Sequence, residues 1–246
     1  MKASRKTAGV ENGTLADEAY LAIREWILRG DLALGEPVSS RRLARQLGMS
    51  HLPVAQALRR LESEGFLESR PRAGTRVRVP TEKDIMERYE VREALETQSA
   101  RLFAKRASEA QRRKLSRMAE VLDRMFERAA SGELGAEFFF EVHRFHFELH
   151  LAIAEGANCQ ALQELIERNQ ILTFNWFYDV AAHLEELPAG FHKQLAESLV
   201  GGDEAAADEA MRAHVRNGRQ DRVKRIEQRS QPGSRSGAWR SSAPAD

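Results

Sequence analysis

Apolar residues recur at helical spacing along most of this chain, and the exceptions gather in its first 80 residues. From Leu15 to Arg29, Ala19, Ile23, Trp26 and Ile27 share one helical face, and Gly30 stops the helix. A second helix starts at Ser39 or Ser40, either of which can serve as its N-cap. It turns Leu43, Ala44 and Leu47 inward and ends at Gly48. Ser50 caps a third helix, with Pro53 in the first turn and Val54, Ala57, Leu58 and Leu61 as its stripe, closed by Gly65. Residues 66–69 and 75–79 then read as two short strands joined by a turn over 70–74. The second strand sets Thr75, Val77 and Val79 on one side against Arg76 and Arg78 on the other. Three helices followed by a hairpin predict a winged helix-turn-helix, whose third helix enters the major groove.

After Pro80 the pattern changes. Residues 81–131 hold neither Gly nor Pro, the two strongest local punctuators. Thr81 caps a helix over residues 81–106 on which Ile85, Tyr89, Arg92, Leu95, Ser99, Leu102 and Phe103 recur at helical spacing. Further helices are expected over residues 109–131, 136–155, 159–181, 189–200 and 203–228, with Asn158 as the cap of the fourth. The fold class expected is therefore mostly α. A winged helix-turn-helix DNA-binding domain spans residues 14–80 and an all-helical bundle spans 81–229. The termini, 1–13 and 230–246, have compositions typical of disorder.

Charge supports this division. The whole chain of 246 residues has a net charge of only +1. Residues 1–80 nevertheless carry 14 Lys/Arg and 9 Asp/Glu, whereas residues 81–246 carry 24 and 28. Between Ser39 and Val79 nine arginines face three glutamates, so the excess sits where a phosphate backbone would lie. No apolar run approaches the roughly 18 residues of a membrane span, no secretory signal is recognisable, and the single cysteine, Cys159, forms no internal disulfide. A cytoplasmic location without membrane contact is expected.

The candidate chemistry is in the histidines. Six of seven lie in the second part: His143, His146, His150, His183, His192 and His214. His146 and His150 stand at i, i+4 on one helix, where two imidazoles can chelate one ion while other helices add ligands. His192 and His214 lie on two later helices, 22 residues apart. Arg92 stands on the apolar side of its helix and needs an anion, either Glu96 or a bound carboxylate.

Residues 30–38 (GDLALGEPV), then Leu43-Ala44, Leu47-Gly48-Met49-Ser50, Pro53-Val54, Ala57-Leu58, Leu61, Glu64-Gly65 and Gly74-Thr75 resemble the N-terminal domain of GntR-family transcription regulators. The resemblance implies a DNA contact from Arg41, which matches the first of the family's contacting arginines; the expected DNA-binding set adds Arg42, Ser50, His51 and Gln56, with Arg72, Gly74 and Arg76 from the wing. Family members usually place Arg where this chain has His51 and Ala55, and an acid where it has Gln56. Arg reads guanine bidentately, whereas Ala meets only a thymine methyl and Gln can read adenine, so a departure from the common family operator is expected. The second part is similar to the FCD effector domain of the FadR subfamily. Arg92 with Glu96, Asn158, His192, and Met211-Arg212-Ala213-His214 carry that likeness.

Many FCD domains hold a divalent metal with an Asp, a His four residues later and two further histidines. In one alignment His146 takes the Asp position and His150 the His position. In the other, His146 is the histidine and Val142 stands where the carboxylate should be. The first gives a metal set of His146, His150, His192 and His214, with effector contacts from Arg92 and Asn158. Such a neutral set favours Zn, Ni or Cu over Mg or Mn.

The function expected is a homodimeric regulator, a repressor in the commoner family outcome. It binds a roughly palindromic double-stranded operator under the control of a small carboxylic acid. A regulator responding to the metal itself is the alternative. A helical metal-dependent enzyme is weaker, because no nucleophile elbow, P-loop or dinucleotide fingerprint occurs.

Overall fold

The computed structural model describes residues 13–70, 74–130, 135–178 and 187–230, and of these only the backbone at 136, 170–178 and 220–230. The chain forms two compact units, residues 1–79 and 80–246. Arg72 and His183 lie outside the described residues, as do the terminal segments 1–12 and 231–246.

The first unit holds α1 (Leu15–Arg29), β1 (Pro37–Val38), α2 (Ser40–Leu47), α3 (His51–Ser63), β2 (Leu67–Arg70) and β3 (Gly74–Val77). Thr14 caps α1 through a reciprocal pair with Asp17, and Gly30 closes it in the left-handed conformation at φ 81°. Ala19, Ile23 and Ile27 are buried as the spacing requires, joined by Tyr20 and Leu28, while Trp26 is only half-buried. Ser39 is the cap of α2, its hydroxyl accepting from the Arg42 amide. Gly48, at φ 64°, makes the tight turn into α3, a conformation that a Cβ would strain. Ser50 takes the N-cap position of α3, but its hydroxyl makes no capping bond.

The three strands form one antiparallel sheet in the order β1-β3-β2, so the expected hairpin gains a short third strand. Val77 is fully buried, but the expected alternation fails at Val79, which lies past the end of β3 and is exposed. Arg76 and Arg78 are half-buried rather than freely presented.

The second unit is a helical bundle: α4 (Glu82–Arg106), α5 (Glu109–Ala130), α6 (Ala136–Gly156), α7 (Gln160–Tyr178), α8 (Phe191–Val200) and α9 (Glu204–Ser230). Residue 230, expected to open a disordered tail, closes α9 instead. Tyr89, Ala100 and Phe103 of α4, Leu115 and Leu122 of α5, Leu149 and Ile153 of α6, Leu195 and Leu199 of α8, and Met211 of α9 share one core. Arg112 joins the helix ends, donating to the carbonyls of Ala104, Ala107, Leu199 and Val200. These are carbonyls that helix C-termini leave without internal partners.

The expected cap at Asn158 is not formed. Asn158 adopts φ 50° in the turn between α6 and α7, and Gln163 N–H bonds the carbonyl of Cys159. The Asn158 amide donates to the carbonyls of Arg106 and Gly156 instead. An Asn tolerates this left-handed turn better than most residues, which is the role it takes here.

Candidate functional site

Three helices bring the four singled-out histidines together. His146 and His150 project from α6, His192 lies in the first turn of α8, and His214 stands on α9. Ring centroids are 4.7 Å apart for His146–His150, 4.9 Å for His146–His192, 5.2 Å for His146–His214, 5.0 Å for His150–His214 and 5.5 Å for His192–His214. The Nε2 atoms of His146, His150 and His214 form a triangle with sides of 3.0, 3.0 and 3.2 Å. One ring nitrogen from each of His146, His192 and His214 also lies within 4.8 Å of the others.

The triangle cannot satisfy itself. An imidazole nitrogen is a donor or an acceptor, never both, so three in mutual contact cannot form three hydrogen bonds in any tautomer. A cation facing three lone pairs removes the conflict. Nitrogens bound to one ion at about 2.1 Å stand roughly 3.0–3.4 Å apart, as these do. His192 Nε2 is buried and has no hydrogen-bond partner among the described residues. The donor set therefore fits a transition-metal ion.

Two carboxylates orient the rings. Asp123 on α5 accepts from His192 Nδ1 at 2.7 Å and also from the amides of His192 and Lys193. One side chain thus fixes the His192 tautomer, with its lone pair at Nε2, and caps the start of α8. Glu96 contacts His150 Nδ1 through one oxygen and accepts from Arg92 Nε at 2.6 Å through the other. Burial would raise the Glu96 carboxyl, but the Arg92 guanidinium and His150 outweigh it and hold it at about 2. Burial, reinforced by neighbouring imidazoles, pushes His146 and His214 well below the usual histidine range. Burial also lowers His150, although Glu96 opposes it. All three favour the neutral form that a metal requires.

Arg92 is only 4% exposed and finds its anion in Glu96, which is 2% exposed. One Arg92 amino nitrogen stands 3.3 Å from His150 Nε2, at the edge of the cluster. Asn158 is not brought there. It lies eight residues beyond His150, about 12 Å along the helix direction, and its amide is spent on backbone carbonyls. Val142, the carboxylate position of the rival alignment, is fully buried among apolar residues. His143 is half-buried on α6. Sequence reasoning missed Asp123, because its partner lies 69 residues away and nothing nearby marks it.

In the first unit, Arg41, Ser50, His51, Gln56 and Gly74 are exposed, and Arg42 and Arg76 are half-buried. Arg42 pairs with Glu36 at 2.8 Å. The His51 ring bonds Ser40 Oγ at 2.9 Å, tying the first residue of α3 to the first of α2. Gly74, at φ 76°, begins β3.

Residues 15–77 match the model of bacterial regulatory proteins of the gntR family, and residues 87–217 match the FCD domain. The chain belongs to the GntR family. A relative from Paenarthrobacter nicotinovorans, named as a probable D-xylose utilization operon transcriptional repressor, is 33% identical over 214 residues, covering 82% of this chain and 86% of that protein. The solved structure of E. coli McbR/YncC aligns with a TM-score of 0.69 at 22% identity, over 89% of this chain and 100% of that one. A transcriptional regulator from Rhodococcus sp. RHA1 aligns with a TM-score of 0.68 at 20% identity, over 85% of this chain and 97% of that one. At these identities the two structures speak for the fold. This GntR-family chain is a DNA-binding transcriptional regulator, and the family and the Paenarthrobacter relative are named as regulators rather than enzymes. Among the described residues no helix is long and apolar enough to cross a membrane.

Proposed function

We propose that this regulator is a cytoplasmic homodimeric repressor of the FadR subfamily whose operator binding is controlled by a small carboxylic acid at a metal centre. The observation that carries the reading is the Nε2 triangle, which no arrangement of protons satisfies and a cation does. His146, His150, His192 and His214 would hold the ion. Four neutral imidazoles favour Zn or Ni. When bound, the metal supplies positive charge to which an acid group can bond. Glu96 and Asp123 hold two of the rings, and Arg92 adds a buried cation at the edge of the cluster. Asn158 stands outside this effector site, its amide committed to backbone carbonyls. On the DNA side the contacts fall to Arg41, Arg42, Ser50, His51, Gln56, Arg72, Gly74 and Arg76.

An effector weakens operator binding only by binding the DNA-free form more tightly than the DNA-bound form. The name of the Paenarthrobacter relative suggests including a five-carbon sugar acid among the compounds tried. The experiment measures operator binding by fluorescence anisotropy, using zinc-loaded and chelator-stripped protein across a panel of carboxylic acids. The expected result is an acid that weakens operator binding by tenfold or more only in the zinc-loaded form. Equal responses with and without metal would refute the metal-held effector.

One observation favours a second reading. Four imidazoles on one ion would leave a four-coordinate metal no open position for an outside ligand, which suits a site where the metal itself is the signal. In that case zinc alone shifts operator affinity and no acid shifts it further.

A further inference from the structure

The N-terminal surface of α3 is exposed and carries no arginine or lysine in its first two turns. Its buried face is Pro53, Val54, Ala57, Leu58 and Leu61. The outward residues of the first two turns are His51, Leu52, Ala55 and Gln56, and the first arginine of the helix is Arg59. Leu52 is 64% exposed. Ala55 and Gln56 stand three and four positions after it, so the three side chains form one patch. His51 flanks the patch with its Nε2 already bonded to Ser40 Oγ. The surface that a recognition helix offers to base edges thus has a leucine at its centre and no guanidinium in its first two turns.

We propose that Leu52 is a specificity-determining residue that reads a thymine methyl group in the major groove, with Gln56 on an adenine beside it. The only apolar group on a base edge in the major groove is the thymine C5-methyl, and the amide of Gln matches N6 and N7 of adenine. An exposed leucine on the protein and an exposed methyl on the DNA are both removed from water when the helix docks. The operator half-site therefore carries an A·T pair opposite Leu52, where an arginine in the first two turns would select guanine.

The test starts from half-sites recovered by selecting bound duplexes from random DNA with the full-length protein. Each thymine is then replaced singly by deoxyuridine, which removes the methyl and nothing else. One position per half-site should lose about fourfold in affinity, the effect of one buried methyl. In Leu52→Ala that discrimination disappears, and in Leu52→Met it is retained. Leu52 is exposed, so both variants keep the wild-type unfolding midpoint. Equal affinity for thymine and uracil at every position overturns the proposal. So does discrimination that persists in Leu52→Ala, or a selected half-site with no recurrent A·T pair. A Leu52→Ala protein that changes oligomeric state while still discriminating would place Leu52 in a protein contact instead.

Discussion

Each histidine of the cluster needs a neighbour to aim it, and two of those neighbours are carboxylates. Asp123 holds His192 and Glu96 holds His150. Carboxylate partners of this kind fix the tautomer and raise the basicity of a ligand nitrogen. Asp123→Asn and Glu96→Gln should each weaken zinc binding by about 10–100-fold in calorimetric titration. Unchanged affinity in both would mean that the rings are aimed by packing alone. The histidines themselves were legible in the sequence, because i, i+4 spacing and the family likeness both pointed to them. Their orienting partners were not, because a contact between α5 and α8 leaves no local pattern. Spacing alone leaves Arg92 two possible anions, and burial beside Glu96 shows that its charge is balanced from within the helix.

At the scale of elements, the chain's own punctuation located most helices. Gly30, Gly48 and Pro80 mark boundaries that the fold respects, and α1 has the expected bounds. β1 was not legible, because two residues carry no alternation to read. The α6–α7 turn was misread, since an Asn before a helix looks like a cap whether or not it is in the left-handed region. The end of α6, just before that turn, contains another constraint. A Cβ at Gly156 would run into the ring of buried Phe103, so α6 approaches α4 as closely as a glycine allows. Gly156→Ala should destabilise the protein by about 1–3 kcal/mol in urea unfolding.

A second element-scale prediction concerns α4 and α9. Glu93 accepts from both Arg212 and Arg216, and the bond from Arg216 leads the causes that hold its carboxyl below the ordinary 4.5. A depressed carboxylate stabilises the fold above its unfolded value and loses that contribution as pH falls below it. Glu93→Gln should therefore cost roughly 1 kcal/mol at neutral pH and nothing once the carboxyl is protonated in both states. Unfolding midpoints measured from pH 7 down to pH 3 check this, and a constant difference across the range would contradict it.

For the whole molecule, the division of charge has a functional counterpart. The basic excess belongs to the GntR DNA-binding unit and the acidic balance to the FCD unit. Operator affinity should fall steeply with salt, since it draws on phosphate contacts from arginines. The centre that would make this protein a sensor is the His146–His150–His192–His214 cluster, and its occupancy can be measured directly. Native mass spectrometry of the purified chain should show one transition-metal ion per subunit in the wild type and none in His146→Ala/His214→Ala. A wild-type protein that takes up no zinc or nickel, or a double variant that retains as much as the wild type, would contradict the account.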